Sequence, residues 1–160
     1  MNRITLSIAL LLVNTALLAQ TDFSGKWQLK EKQHILGPEY ANAVAKLLSV
    51  DQRSDSLIIE SSSVGENGQD VVTRSAIALN GKQSINTSAA SNRKLIRSLQ
   101  WSNDKKTLTI TTAFYMPGND SEVDFTRVEV WTLENGQLKV DKKSIETRSE
   151  TWEVKAVFEK

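Results

Sequence analysis

From residue 25 onward the chain is dominated by apolar and polar residues that alternate with a period of two, the signature of half-buried strands. Trp27 and Leu29 share a side in Gly25–Leu29, and Ser56–Ser61 carries Leu57, Ile58 and Ile59. In Val71–Leu79 the residues Val72, Arg74, Ala76 and Ala78 alternate with Val71, Thr73, Ser75, Ile77 and Leu79. Strands are also predicted at Leu95–Trp101, Thr107–Tyr115, Val123–Leu133, Leu138–Ser144 and Glu150–Phe158, with a weaker one at Gln83–Ala89. The last strand is strongly two-faced. Trp152, Val154, Ala156 and Phe158 lie on one side, against Thr151, Glu153, Lys155 and Glu159 on the other, with Val157 the exception.

Turn chemistry separates these runs. Asn67-Gly68, Asn80-Gly81 and Asn135-Gly136 supply the positive φ angles of tight hairpins, while Ser102-Asn103-Asp104 and Pro117-Gly118-Asn119-Asp120 mark longer turns. Parallel pairing needs long crossovers, for which the connections are too short. The pattern therefore predicts an all-β antiparallel meander of about eight to ten strands. So large a sheet must dispose of its edges, and a two-faced last strand pairing back to the first closes it into a barrel. One segment departs from the alternation. Pro38 suits a first helical turn, and Tyr40, Val44, Leu47 and Leu48 follow at i, i+4, i+7 and i+8. A short helix is expected over Glu39–Leu48 across one end of the sheet, as either a plug or a lid.

Ahead of the strands stands a different kind of segment. Met1-Asn2-Arg3 is a basic start, and Ile4–Ala19 is apolar apart from Thr5, Ser7, Asn14 and Thr15. This is the layout of a secretory signal peptide, expected to be cut after Ala19. It is short for a membrane span, and the rest of the chain offers none. Export to the periplasm or the outside is therefore expected, with residues 20–160 as a single domain. Arg3 is the only charged residue of the segment, so the remainder has equal numbers of acidic and basic residues. Such balance gives no footprint for nucleic acid. With no cysteine in the chain, neither disulfides nor lipidation at the cut is available, and the domain must be held by burial.

Phe23-Ser24-Gly25-Lys26-Trp27 at the start of the first strand resembles the G-x-W opening of the lipocalin-like (calycin) superfamily. Val128-Glu129-Val130-Trp131-Thr132-Leu133, followed by Asn135-Gly136-Gln137-Leu138, resembles small exported bacterial members of that group. A helix straight after the first strand is similar to the fatty-acid-binding arrangement. The resemblance implies an up-and-down barrel, with a small apolar or amphipathic molecule inside. There is no Thr-Asp-Tyr motif, and no long helix is predicted after the last strand. Arg148 and Lys155 are the alternatives for the basic residue that stacks over the G-x-W tryptophan in lipocalins.

Catalytic signatures are scarce. His34 is the only histidine, in a polar stretch where a solvated side chain is expected, and no nucleophile motif, phosphate loop or dinucleotide fingerprint is present. Asn119–Asp124 is rich in oxygen ligands but lacks the glycine of a calcium loop, and reads as a solvated hairpin loop. Neither an enzyme activity nor a metal or cofactor is expected. The informative signal is charge in phase with apolar faces. Arg97 alternates with Leu95, Leu99 and Trp101, and Arg127 and Glu129 with Val123, Phe125, Trp131 and Leu133. Inside a barrel each such charge needs a partner. That partner is either a ligand's acidic headgroup on Arg97 or Arg127, or Glu129 in an internal ion pair. The competing phase, with Val128 and Val130 inside, would turn these charges outward.

Among the four tryptophans, Trp27 and Trp152 lie on the first and last strands and are expected to pack together at the closure seam. Trp101 and Trp131 are left between core packing and lining a ligand cavity. The candidate ligand-binding residues are thus Arg97, Trp101, Arg127, Glu129 and Trp131. The expected function is binding of a small hydrophobic or amphipathic molecule in the barrel. The alternative is a solidly packed barrel that engages a protein partner through its surface. The sequence leaves the oligomeric state open.

Overall fold

In the computed structural model, residues 20–160 are described apart from 41, 66, 89 and 90; the expected signal segment, residues 1–19, lies outside the described residues. Ten strands form one antiparallel sheet: β1 (Gly25–Leu36), β2 (Leu47–Gln52), β3 (Ser56–Val64), β4 (Asp70–Ala78), β5 (Ser84–Thr87), β6 (Lys94–Trp101), β7 (Thr107–Met116), β8 (Asn119–Glu134), β9 (Gln137–Glu146) and β10 (Trp152–Glu159). Their order is β4-β3-β2-β1-β10-β9-β8-β7-β6-β5. The last strand pairs with the first, from Gln28 opposite Glu159 to Leu36 opposite Glu153, as its two-faced pattern predicts. The two ends of the sheet, β4 and β5, meet only at their feet, where the Ala78 N–H donates to Ser84 Oγ at 3.0 Å. The barrel is therefore nearly closed, with one gap.

The helix expected over Glu39–Leu48 does not form, and among the described residues there is no helix at all. Leu47 and Leu48 instead open β2, which the sequence reading missed. The reason is tertiary. The Leu29 N–H donates to the Lys46 carbonyl and the Lys46 N–H to the Ser62 carbonyl, so neighbouring strands claim this backbone before a helix can use it. Leu48 and Val50 are buried while Leu47 is half exposed, the alternation of a strand. The short apolar stripe gives a helix too little local free energy to compete. The described residues between β1 and β2 form a loop across the sheet end, with Ala43 and Val44 buried. Gly37, at φ +71°, starts it; a Cβ there would lie 2.2 Å from the Thr151 carbonyl oxygen.

Inward-facing residues alternate along every strand of the closed side. Trp152, Val154, Ala156 and Phe158 are all buried, as are Leu138, Val140 and Ser144 on β9, and Leu108, Ile110 and Thr112 on β7. The end opposite the loop is sealed by residues preceding β1. Phe23 is fully buried, stacked on Trp101 with ring centres 5.8 Å apart and edge-on to Trp131 at 6.0 Å. Its carbonyl accepts the Trp27 indole N–H at 2.9 Å, and Gln52 brackets the segment, accepting from the Phe23 N–H and donating to the Thr21 carbonyl. Trp27 and Trp152 do not pack together, contrary to expectation. They lie toward opposite ends of the β1–β10 seam, where Trp152 meets Tyr40 edge-on at 6.0 Å. The basic group over Trp27 is neither Arg148 nor Lys155 but Lys160, whose Nζ is 4.8 Å from the ring centre. Arg148 pairs with Glu122, and Lys155 with Asp141.

Phe23 is the stopper of this end, so Phe23→Ala should lower unfolding free energy by about 3–5 kcal/mol, as other buried Phe→Ala changes do. Urea denaturation of the two proteins measures the difference. A change below about 1 kcal/mol would show that the seal contributes nothing beyond a surface contact.

Candidate functional site

The hairpins of the closed side set the site by register. Arg97 on β6 is opposite Thr112 on β7, which is opposite Arg127 on β8, then Ser144 on β9 and Trp152 on β10. The adjacent rung toward the sealed end reads Leu99, Ile110, Glu129, Lys142 and Val154. Because buried residues occupy alternate positions on β7, β9 and β10, and Arg127 and Glu129 are in phase with the buried Trp131 on β8, both rungs face the interior. The structure thus brings Arg97, Arg127 and Glu129 to one inner face. Val128 and Val130 take the other.

Glu129 is held from two sides. Lys142 Nζ is 3.3 Å from its Oε1, and the Trp131 indole N–H donates to its Oε2 at 3.1 Å. Its internal ion partner is therefore Lys142 rather than either arginine. The Glu129 carboxyl titrates below its ordinary value: burial pushes it up, but the Lys142 charge, the two hydrogen bonds and Arg127 outweigh that. Burial holds Lys142 below its ordinary range, with Arg127 adding repulsion and Glu129 opposing.

Arg127 has a different environment. Its guanidinium carbon is 4.8 Å from the Phe114 ring centre, 5.0 Å from Phe125 and 5.6 Å from Trp152. Phe114 and Phe125 are themselves stacked, 4.3 Å apart. Aromatic faces attract a guanidinium but accept no strong hydrogen bond from it, and Arg127 Nε is buried without a partner. Among the described residues no carboxylate lies within 4.0 Å of Arg127 or Arg97. Burial lowers the pKa of both arginines, and Glu129 opposes it from a distance. Glu146 lies next along β9, accepting from Ser144 Oγ at 2.6 Å, and toward the loop end Arg93 pairs with Asp124 at 2.9 Å.

Trp131 is fully buried and Trp101 half-buried, both against Phe23 at the sealed end, and Trp101 Nε1 has no hydrogen-bond partner. They form the floor beneath the charged rungs. His34 stands on β1, which runs further than predicted, and is exposed. The oxygen-rich stretch expected as a hairpin loop is instead the start of β8, and its Asp124 is occupied by Arg93. Sequence reasoning missed Lys142, Thr112, Ser144 and Trp152 as members of the site. Lys142 had a usable signal, since it is in phase with Leu138, Val140 and Ser144, just as Arg97 is with its neighbours.

No family model matches this chain, and no curated protein matches it. Among solved structures it is similar to zebrafish ileal bile acid-binding protein complexed with cholic acid. The TM-score is 0.49 at 12% sequence identity, over 86% of this chain and 98% of that one.

The Glu129–Lys142 pair gives a pH signature. Because the folded-state pKa of Glu129 is depressed, its contribution is fully present above the ordinary carboxylate pKa. It is lost as the pH falls through the folded value. Glu129→Gln should therefore cost roughly 2–3 kcal/mol at neutral pH, discounted for the partial exposure of the pair. The difference from the parent protein should shrink as the pH is lowered below about 4.5. Denaturant midpoints for both proteins across the acid range check this; a gap that stays constant with pH would disprove the linkage.

Proposed function

We propose that this protein is an exported carrier that binds a small amphipathic anion inside the barrel, with the ligand's acidic group between Arg97 and Arg127. The observation that carries the reading is the imbalance of interior charge. Three cations, Arg97, Arg127 and Lys142, face inward on two adjacent rungs, and the carboxylate between them, Glu129, is already engaged by Lys142 and Trp131. A half-buried guanidinium is costly without a hydrogen-bonding partner, and an incoming carboxylate or sulfonate provides one in the fork geometry that arginine favours. Thr112 and Ser144, between and beside the arginines, add hydroxyls on the same rung. Phe114, Phe125 and Trp152 supply apolar surface for the body of the molecule, and Trp101 and Trp131 form the floor. In this reading the ligand is bound without being transformed.

A second reading is favoured by one observation. A groove of about 450 Å³ lies on the outside of the barrel, lined by residues that include Glu31, Gln33, Val130, Thr132, Asp141 and Lys155. A packed barrel that engages a protein partner would use such a surface.

Binding of an anionic dye, 1-anilinonaphthalene-8-sulfonate, and a neutral one, Nile red, separates these readings. The parent protein should bind both. The Arg97→Ala, Arg127→Ala double variant should lose roughly 10- to 100-fold in affinity for the anionic dye, while Nile red binding changes little. Unchanged affinity for the sulfonate would exclude the arginine site. Failure to bind either dye, together with a ligand-free mass for the protein purified from its own host, would favour the surface reading.

A further inference from the structure

The two free edges of the sheet are unequal. β5 is four residues long, a short edge of the kind natural proteins use to discourage strand addition. β4 is nine residues long, contains no proline, and pairs with β3 from Val64–Asp70 to Ser56–Ala78 without a register break. From Asp70 to Arg74 every residue is exposed. Val72 retains 63% of its surface and Val71 38%. The other side of this strand meets β5 through Ala78 and Ser84 and also comes near β6, while its Asp70–Arg74 half stays exposed. The upper half of β4 therefore presents a row of main-chain donors and acceptors flanked by valines, protected only by the charges of Asp70 and Arg74.

The charges on this edge complement each other. In the run Asp70-Val71-Val72-Thr73-Arg74, an antiparallel copy of the same strand, placed on a twofold axis through Val72, sets Asp70 opposite Arg74 and Arg74 opposite Asp70. Val72 then meets Val72, and Val71 meets Thr73. Asp70, Val72 and Arg74 lie on one face, so both ion pairs flank the valine contact. That face continues the row from Val72 through Ser62 to Leu47, which is also half exposed, so the pairing extends an apolar stripe across both molecules. Asp70 also contacts Lys46 at 2.5 Å, which leaves acceptor capacity on its carboxylate for a second cation.

We propose that β4 is a homodimerisation edge, taking a second copy of this chain in antiparallel β4–β4 pairing centred on Val72. The twofold axis makes the interface self-complementary. The small contact area of this pairing gives a reversible dimer in the micromolar to millimolar range rather than an obligate one.

Sedimentation equilibrium of the full chain as purified, over that concentration range, tests the proposal. The parent protein should show a monomer–dimer equilibrium. Arg74→Asp places Asp opposite Asp twice in the dimer and should raise the dissociation constant by about tenfold or more. Asp70→Arg should do the same. Combining Asp70→Arg with Arg74→Asp restores the opposition of unlike charges and should bring the constant back to within about threefold of the parent. Circular dichroism confirms that each variant is folded. A protein that stays monomeric throughout, a dimer indifferent to Arg74→Asp, or a double variant that fails to recover would each overturn the proposal. The first of these would leave the edge to an extended segment of a different protein.

Discussion

The pairing of the first strand with the last is the constraint on which the rest of this structure depends. The ten strands of the described residues form a ribbon with two faces, and without closure one apolar face would lie open to water. Once β10 lies against β1, the right-handed twist of the sheet carries the ribbon round on itself. Every second residue from β6 to β10 is then committed to one interior. The seam ties the floor to the opposite end, because Trp27 and Trp152 lie toward its two ends on strands that run side by side. Each end is finished by a different segment: Phe23 and its hydrogen-bonded neighbours seal one, and the loop with Ala43 and Val44 covers part of the other.

Closure also explains why charge is found inside. Side-chain alternation has no provision for skipping a position, so Arg97, Arg127, Glu129 and Lys142 share the inner face with Leu99, Ile110 and Trp131. The barrel meets the cost of Glu129 with a lysine and an indole N–H, a local solution complete within two strands. It meets the cost of Arg127 with three aromatic rings, which stabilise the charge but leave its hydrogen-bonding capacity unused. A fold selected for stability alone would place an apolar side chain there, since buried charges seldom improve on well-packed hydrophobic residues. In the proposed carrier the arginine is the binding group and the lysine–glutamate pair its support.

Much of this was legible along the chain. The strand periods, the Asn-Gly turns and the two-faced last strand pointed to an antiparallel meander closing on itself. At Asn135-Gly136 both residues adopt the positive φ that the turn demands. The phase of Arg97, Arg127 and Glu129 against their apolar neighbours was equally visible, because a period of two is a property of each strand alone. The Tyr40–Leu48 stripe misled because it obeys a helical period over barely two turns, while the hydrogen bonds that decided the matter come from Leu29 and Ser62. Lys142 was overlooked despite carrying the same phase signal as Arg97.

By itself, then, the sequence determined the class of fold, the faces of most strands and which charges would share a face with the core. Local alternation and turn chemistry act within a few residues and need no distant partner. Only the tertiary structure decided which charges would be satisfied. Register between β8 and β9 gave Glu129 to Lys142, and the stacking of Phe114 on Phe125 gave Arg127 aromatic neighbours in place of a carboxylate. It decided as well that the gap would fall between β4 and β5, leaving one long edge free. Those outcomes turn on how strands far apart in the chain are aligned, and alternation within a single strand carries no information about that alignment.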